Sequence, residues 1–320
     1  MAASIDVVVP VRDHYPLTAA CLEHLARQTI PHRTIVVDDC SSDGTAKALR
    51  RNWPAVTTVQ LTAHAGFTGA VNRGVRAGGG EYVILMNNDV QLHQQCLERL
   101  VAPLDADSTI GSVAAVMLTP GEKTIDSVGV SADLTLAGFA RLQGQPVARA
   151  AMPEPVLTGP EGTTGAYRRS AWDQVGGLDE HIRAYMEILD LALRLRTAGW
   201  ATASAPDAVG VHLGSRTYGR RSAQQRRLAG YSRGYLLRRY GVLRGRAAPR
   251  ALLTEAIVVA ADVFACRDVE AARGRVEGWR AGAGMASHPR PPPEAIDSSI
   301  SLRCSLALRR GALRPAAPQA

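Results

Sequence analysis

Several features that define other classes of protein are missing from this sequence of 320 residues. No apolar run reaches the roughly 18 residues that a membrane-spanning helix needs. The five cysteines are scattered, without the spacing of a zinc site or a disulfide framework, so we expect reduced thiols. Aromatic residues make up only 5% of the chain and no groove-reading motif occurs, so nucleic acid is not an expected partner.

Two common nucleotide-binding motifs are also absent. Neither GxGxxG nor GxxxxGK[ST] follows the first apolar run, which disfavours a dinucleotide-binding fold and a P-loop NTPase. That run, "IDVVVPV", has no basic region before it, so we interpret it as a first strand rather than a signal peptide. These observations favour a cytoplasmic protein, and 46% hydrophobic residues are enough for a substantial core.

Positive charge is concentrated in one part of the chain. The formal net charge is +8, and the stretch from Ala208 to Thr254 contains eleven arginines and no Asp or Glu. A basic stretch of this kind suits a phosphate-bearing ligand or the anionic inner face of the cell membrane. A solvated basic surface is the alternative.

Short apolar runs alternate with amphipathic segments through the first 120 residues. This alternation predicts an α/β fold with a mostly parallel mixed sheet flanked by helices. Beyond it, "SAWDQVGG" and "EILDLALRLRTAGW" predict helices, and "ATASA" and "AVGVHL" predict two short strands. Residues 221–240 and 249–280 also have helical patterns, and the segment after about 284 is rich in proline.

Polar residues follow each of the first four predicted strands. The strands end in "PVRDH", "DDCSSDGT", "LTAHAGFTGAVNRG" and "NNDV". Each of these segments alone could be a turn, because Asn, Asp and Gly favour turns. Together they indicate a ligand site, because open α/β sheets bind ligands at the carboxyl ends of their strands.

These segments resemble the motifs of family 2 glycosyltransferases. The resemblance is to the A-type nucleotide-sugar-binding fold, and within it to rhamnosyltransferase-like proteins of bacterial cell-surface polysaccharide synthesis. The motifs occur in family order between residues 7 and 213: "VVVPVRD", "IVVDDCSSDGT", "GFTGAVNRGVRAG", "LMNNDV", "GTTGAYRRSAWDQVGGLDE", "LDLALRLRTAGW" and "PDAVGVHL". The resemblance implies transfer of a sugar from a nucleoside diphosphate donor.

The resemblance, which covers little beyond about Gly241, and the sequence pattern after it together predict a division of the chain. Residues 1–118 would form the nucleotide-sugar-binding half, and residues 119–241 the acceptor-binding and catalytic half of the same domain. Residues 242–283 would add a C-terminal helical extension, and we expect 284–320 to be a mobile tail.

On the donor side, the resemblance gives Asp39 the clearest role. Asp39, with Asp38 beside it, matches the carboxylate that accepts a hydrogen bond from the pyrimidine N3–H, which implies a UDP- or dTDP-sugar. An Asx turn is the alternative for both carboxylates. The resemblance implies further donor contacts from Pro10, Val11, Arg12, Arg73, Asn87, Asn88, Gly165 and Ala166.

A divalent cation is the implied cofactor. Asp89, in "NNDV", stands where the family has a DxD-type motif whose last carboxylate binds a cation that bridges the diphosphate. His212, at the end of "AVGVHL", falls where relatives supply another contact to the metal or the diphosphate. Oxygen ligands suit Mg²⁺ or Mn²⁺.

The catalytic base expected from the family is missing. Relatives have a Glu-Asp pair here, whose Asp deprotonates the acceptor hydroxyl for inverting attack, whereas this chain has Glu187 and Ile188. Glu187 and Asp190 are the nearby carboxylates, three residues apart on one helical face, and Glu187 is the predicted substitute base. Two functions therefore remain open: an active, metal-dependent inverting glycosyltransferase, or a nucleotide-sugar-binding pseudoenzyme or partner subunit.

The basic stretch suggests where an acceptor would bind. Arg216 and Arg220 could hold a diphosphate, and residues 216–246 could contact the membrane surface peripherally. Both features suit a lipid-linked acceptor, while a soluble acceptor such as a peptide or an aglycone remains open.

Overall fold

The computed structural model describes residues 4–153, 155–214 and 222–310. Its strands are β1 Ile5–Val11, β2 Arg33–Asp38, β3 Thr57–Gln60, β4 Tyr82–Met86, β5 Val90–Leu92, β6 Ile110–Leu118, β7 Ile125–Ser127, β8 Val130–Ala132, β9 Gly138–Ala140, β10 Thr164–Arg168 and β11 Ala201–His212. Its α-helices are α1 Tyr15–Ala26, α2 Thr45–Asn52, α3 Gly66–Ala77, α4 Cys96–Ala106, α5 Arg169–Val175, α6 Glu187–Thr197, α7 Ala223–Arg239, α8 Ala248–Cys266, α9 Glu270–Ala281 and α10 Leu302–Arg310.

One mixed sheet forms the centre of the chain, in the order β3-β2-β1-β4-β10-β6-β11-β5, with β7 paired to β6. The first four of these strands run parallel to one another, as the alternating pattern predicts. Strand β10 is antiparallel to both of its neighbours, so β6 and β11 run in the same direction as β4. The carboxyl ends of β1, β2, β4, β6 and β11 therefore lie along one edge of the sheet.

The two faces of this sheet are covered by separate groups of helices. Side chains alternate between the faces along each strand, so Val7 and Val9 pack with α1 and α4, while Val8 packs with α3 and α6. Strand β4 is buried along its whole length, which explains its unbroken apolar sequence.

The C-terminal helices α7 and α9 pack unusually closely because both carry glycines four residues apart. A Cβ atom at Gly230 or Gly234 would overlap a carbonyl oxygen of α9, and one at Gly274 or Gly278 would overlap a carbonyl oxygen of α7. Glycine allows the two backbones to approach to this distance. The pair then packs through Leu236 and neighbouring apolar residues against the outer face of α6.

Strand β11 corrects one prediction, because it replaces the two short strands expected from "ATASA" and "AVGVHL". It is a single strand whose register on β6 shifts between Ser204 and Val209. Pro206 lies in this interval and has no backbone N–H for the ladder, which accounts for the interruption.

Residues 284–310 belong to the segment predicted to be a mobile tail, and the structure gives them specific contacts. Asp297 is buried, and its backbone N–H donates to the carbonyl of Ala132 at 2.7 Å. Ser305 on α10 donates to the buried Asp133 at 2.7 Å. This part of the tail is therefore packed against the β8–β9 hairpin, although its proline-rich composition gave no sign of such contacts.

No described helix combines the length and the apolar character needed to cross a membrane.

Candidate active site

The topology brings three of the predicted site residues to one edge of the sheet. Asp39 follows β2, Asp89 follows β4, and His212 ends β11 beside Val90 of β5. Because β10 is antiparallel to β4, the first residue of β10, Thr164, pairs with Met86 at the same edge. Side chains from four separate strands can therefore meet around one crevice, as expected for a ligand site in an open α/β sheet.

The loops after β1 and β2 are locked together on one side of this crevice. The Asp13 carboxylate accepts the backbone N–H of Ser42 at 2.7 Å, and the Asp43 carboxylate accepts that of His14 at 2.7 Å. Asp13, His14 and Cys40 all adopt left-handed backbone conformations that are unfavourable for residues other than glycine. Strain of this kind persists where the surrounding contacts hold it, and it is concentrated at binding sites.

Asp39 lies at the centre of the predicted base pocket. Its Oδ1 accepts the backbone N–H of Ala65 at 2.7 Å, and its Oδ2 accepts that of Gly66 at 3.0 Å, at the start of α3. The residue is only 4% exposed. Oδ1 has a single partner and therefore keeps a lone pair for another donor.

His64 links Asp39 to Arg12 and was not singled out from the sequence. Its Nδ1 lies 2.7 Å from Asp39 Oδ2, and its Nε2 lies 3.1 Å from Arg12 Nη1. Arginine can only donate, so in this arrangement Nε2 is the acceptor and Nδ1 faces the carboxylate. The Asp39 backbone N–H also donates to the Val11 carbonyl at 2.8 Å, which ties the ends of β1 and β2 together.

Other predicted donor residues occupy different positions around this pocket. Pro10 is in β1 beside Val37, and Asp38 is fully buried, with Oδ1 accepting Ser41 N–H and Oδ2 lacking a partner among the described residues. Arg73 is engaged on α3, where it donates to the Gly69 carbonyl at 2.9 Å and lies 3.7 Å from Glu180.

The two asparagines after β4 shape the centre of the crevice. The Asn87 backbone N–H donates to the Thr163 carbonyl at 2.9 Å, and the Asn88 side chain donates to the hydroxyl of Thr18 at 3.0 Å. Both asparagines are partly exposed. These contacts fix the backbone that presents Asp89.

Asp89 and His212 form the predicted cation site. His212 Nε2 lies 3.4 Å from Asp89 Oδ2, and its Nδ1 lies 2.8 Å from the Oδ2 atom of Asp126 on β7. Burial alone would lower the pKa of His212, but the hydrogen bonds and charges of Asp126 and Asp89 outweigh burial and raise that pKa to about 10. Asp126 lies in a segment with weak periodicity, so no sequence signal pointed to it.

The residues present fit a divalent cation. The Oδ1 atom of Asp89 is buried and has no hydrogen-bond partner in the described part of the chain, and the buried Nε2 atom of His212 has only Asp89 Oδ2, 3.4 Å away, as a neighbouring polar group. Unpaired buried polar atoms are unusual and need a ligand or another explanation. One carboxylate and one imidazole suit Mn²⁺ or Mg²⁺ when phosphate oxygens complete the coordination. Within the described ranges, no three His, Cys, Asp or Glu side chains form a complete metal cage.

Gly165 and Ala166 do not lie at the edge of the crevice. Both are inside β10, where they pair with Leu85 and Ile84, and Ala166 is fully buried in the core. Strand β10 begins at the edge that carries the site and runs away from it, so each residue after Thr164 lies further from the crevice. Thr163, which precedes the strand, is the residue of this segment that contacts the crevice backbone.

Glu187 is the first residue of α6 and lies close to the segment before β10. A Cβ atom built at Gly162 would lie 3.5 Å from the side chain of Ile188, so this segment contacts the start of α6. The Oε2 atom of Glu187 is buried without a hydrogen-bond partner among the described residues. Burial raises the pKa of Glu187 to about 7, and the charges of Glu161 and Asp190 add to this increase. A carboxyl group with this pKa can accept a proton near neutral pH.

The backbone before Glu187 is strained. Tyr185 and Met186 have φ angles of 64° and 67°, two consecutive left-handed residues that are not glycine. This conformation turns the chain into α6 and fixes the position of Glu187. Ile188, the next residue, is 5% exposed and packs in the core with Leu191.

Asp190, the second carboxylate predicted from the sequence, is engaged inside the protein. It is fully buried, its Oδ2 accepts Arg194 Nε at 2.8 Å, and its Oδ1 accepts the Tyr240 hydroxyl at 2.9 Å. One carboxylate oxygen therefore pairs with an arginine of α6 itself, and the other accepts a hydrogen bond from Tyr240, which directly follows α7. The position of Asp190 three residues after Glu187 did not reveal either partner.

The predicted acceptor residues Arg216 and Arg220 lie outside the described residues. The arginines of α7 that the structure does describe are engaged within the protein: Arg227 pairs with Glu277 at 2.6 Å and Arg233 with Glu255 at 2.7 Å. Residues Gly230–Leu237 of α7 are buried. The second half of α7 is therefore an internal helix, and peripheral membrane contact through 216–246 stays a prediction.

Comparison with known proteins identifies the family. The N-acetylglucosaminyl-diphospho-decaprenol L-rhamnosyltransferase of Mycobacterium tuberculosis is 28% identical over 212 residues, which is 59% of this chain and 69% of that protein. The mannosyltransferase PcManGT from Pyrobaculum calidifontis, solved with GDP-Man and Mn²⁺, has a similar fold, with a TM-score of 0.54 and 21% identity over 96% of this chain and 82% of that one.

GalNAc-T7, solved with UDP, GalNAc and Mn²⁺, is a second similar structure, with a TM-score of 0.58, 13% identity, and coverage of 83% of this chain and 58% of that one. Both structures confirm the predicted A-type glycosyltransferase fold. The family model described as "Glycosyl transferase family 2" matches residues 6–176, which is just over half of the chain. The protein is therefore a glycosyltransferase that belongs to family 2.

Proposed function

We propose that this protein transfers a sugar from a UDP- or dTDP-sugar to a hydroxyl group of a lipid-linked acceptor, with inversion at the anomeric carbon. The observation that carries the proposal is the convergence of Asp39, Asp89 and His212 at one sheet edge, with Glu187 at the start of the adjoining α6. Residues 1–118 would hold the donor and residues 119–241 the acceptor.

The base of the donor would bind beside Asp39. A carboxylate accepts the single N3–H of uracil or thymine, and a free lone pair on Oδ1 supports this role. His64 and Arg12, which are joined to Asp39 by hydrogen bonds, would close the pocket around the base. The locked loops after β1 and β2 support rigid binding, because they are held before the donor arrives.

Asp89 and His212 would hold Mn²⁺ or Mg²⁺ against the donor diphosphate. When bound, the cation would neutralise the negative charge that develops on the leaving diphosphate. Asp126 would orient the His212 ring through its contact with Nδ1. Asn87 and Asn88 would position the strand end that carries Asp89.

Glu187 would act as the general base. As the acceptor oxygen bonds to the anomeric carbon, the Glu187 carboxylate takes the hydroxyl proton, and the bond from that carbon to the diphosphate oxygen breaks. Attack from the face opposite the leaving group inverts the configuration. The buried, unpaired Oε2 of Glu187 supports this role, because it leaves one oxygen without a structural partner.

The lipid-linked acceptor is suggested by the mycobacterial relative, whose name specifies an acceptor on diphospho-decaprenol. The high arginine content after β11 is compatible with a diphosphate on the acceptor. We propose on the same basis a role in the synthesis of a cell-surface polysaccharide or glycolipid.

A nucleotide-sugar-binding pseudoenzyme is the second candidate, and Ile188 is the observation that favours it. An isoleucine occupies the position of the family's base and is packed in the core. Such a protein would keep the donor pocket and bind donor without turnover.

Release of nucleoside diphosphate from a panel of UDP-, dTDP- and GDP-sugars, with Mn²⁺ or Mg²⁺, tests the proposal. We expect turnover of a pyrimidine donor, and a loss of about a hundredfold or more in Asp89→Asn, since that change removes a charge from the cation site. Asp207→Asn, at an exposed position of β11, is the matched control and should retain the wild-type rate. Turnover unaffected by Asp89→Asn, or a preference for GDP-sugars, would contradict the proposed site.

A further inference from the structure

Helix α8 carries an apolar face that no described part of the protein covers. Its exposed residues Leu252, Leu253, Ala256, Ala260 and Phe264 fall at helical spacing on one side. Leu252 is 57% exposed and Phe264 is 84% exposed. We call these five residues the α8 face. A row of exposed apolar side chains along a whole helix indicates a partner surface.

The opposite side of α8 attaches the helix to the rest of the protein. Ala251, Thr254 and Glu255 are buried there, and Glu255 pairs with Arg233 at 2.7 Å and with Arg275 at 2.8 Å. The orientation of α8 is therefore fixed by ion pairs on its inner side. The α8 face consequently points away from the domain.

Unpaired cations lie beyond both ends of this face. Arg244 and Arg246 precede α8 and Arg267 follows it, and all three are exposed. In the described ranges, none of these three arginines has a carboxylate within 4.0 Å. Other arginines of the chain, such as Arg227 and Arg233, do have carboxylate partners within that distance. Within α8 itself, Asp262 is the one carboxylate besides the buried Glu255.

We propose that the α8 face docks the protein on an anionic lipid bilayer, with α8 lying in the plane of the interface. The apolar side chains would enter the boundary between headgroups and acyl chains, and the arginines at both ends would contact anionic headgroups. The inference goes beyond the proposed reaction and does not depend on it, because vesicle binding is measured without a donor or an acceptor.

The charge pattern argues against a second copy of the chain as the partner. In a symmetric dimer whose α8 faces pack along their whole length, the helices would be parallel or antiparallel. Either arrangement would bring arginines of one copy next to arginines of the other, because both ends of the face are cationic. An anionic bilayer complements both ends at once.

Binding to lipid vesicles tests this assignment. We expect the full-length protein to co-sediment with vesicles of phosphatidylcholine and phosphatidylglycerol, and much less with phosphatidylcholine alone. Ala256→Glu should lower the bound fraction at least about tenfold, because it places a carboxylate in the apolar face. Ala102→Glu is the matched control, an exposed helical alanine on α4, and should bind as the wild type does.

Phe264→Ala provides an independent variant that adds no charge and should also weaken binding about tenfold or more, given the area that an aromatic side chain buries. Far-UV circular dichroism verifies that the variants are folded. Absence of vesicle binding by the wild type, or binding that neither variant weakens, would overturn the assignment. A dimer in the absence of lipid that Ala256→Glu dissociates would overturn it too and assign the face to a second copy.

Discussion

The exchange of Glu187 for glutamine removes the proposed base while keeping the shape of the side chain. General base catalysis contributes about 10² to 10⁴ in rate, so we expect Glu187→Gln to lower the turnover number by that factor. At 1.36 kcal/mol for each factor of ten, this corresponds to about 3 to 5 kcal/mol of transition-state stabilisation. The assay is steady-state release of nucleoside diphosphate with donor and acceptor at saturation.

The pH dependence gives a second readout of the same substitution. Burial raises the pKa of Glu187 from 4.5 to about 7, so the wild-type carboxyl group is protonated below that pH and inactive as a base. The wild-type turnover number should therefore rise as the pH increases through about 7 and then level off. The glutamine variant should lack this rise, because its amide does not titrate.

The free energy of unfolding of the wild type should fall as the pH rises, whereas its turnover number should increase. A folded-state pKa above the unfolded value contributes stability that is present below pH 4.5 and is lost as the pH rises to about 7. Glu187→Gln should therefore match the wild type in acid and exceed its free energy of unfolding above neutral pH. A shift of this size gives an upper limit of about 3 kcal/mol, because Glu187 is partly exposed. A variant with near-wild-type turnover and the same pH profile would refute the assignment of Glu187 as base.

Three further substitutions test separate parts of the structure. Ile188→Asp places a carboxylate at the family's base position. We expect the free energy of unfolding to fall by about 3 kcal/mol, because a charge enters the core, and turnover to stay at or below the wild-type rate. A gain in turnover would instead favour the pseudoenzyme. Asp126→Ala frees the His212 ring, and the Mn²⁺ concentration for half-maximal turnover should rise about 10- to 100-fold; an unchanged Mn²⁺ requirement would exclude the orienting role. Gly278→Ala forces a Cβ atom into the Tyr231 carbonyl and should lower the free energy of unfolding, measured by denaturant titration, by about 1 to 3 kcal/mol. Gly79→Ala is the control, because a Cβ atom there meets open space and should leave the stability unchanged. Equal effects of the two substitutions would argue against close packing of α7 and α9.

The parts of the fold that follow from local pattern were predictable. The alternation of apolar runs and amphipathic segments predicted the parallel strands, because strand and helix periodicities are written into neighbouring residues. The packing of residues 284–310 was not predictable in this way. Asp297 and Ser305 are held by partners more than a hundred residues away, and a proline-rich composition carries no trace of such contacts.

The same distinction applies to the site. Asp39, Asp89 and His212 lie at strand ends, where the topology of an α/β sheet makes polar residues informative. His64 lies in the polar segment "LTAHAGFTGAVNRG" that follows the third strand. That position at a strand end could have indicated its contact with Asp39 and Arg12. Asp126 contacts His212 across 86 residues of sequence, and no periodicity marks it. Asp190 had the right spacing from Glu187, but its partner Tyr240 lies 50 residues further along the chain.

Donor turnover by the wild-type protein is the measurement that tests the central claim most directly. One sample would be titrated with UDP- and dTDP-sugars to measure binding, and then assayed with Mn²⁺ and a lipid-linked acceptor for release of nucleoside diphosphate. The account predicts both binding and release, with release abolished when the cation is chelated. Tight binding without any release would contradict it and would make Ile188 the mark of a protein that binds its donor without using it.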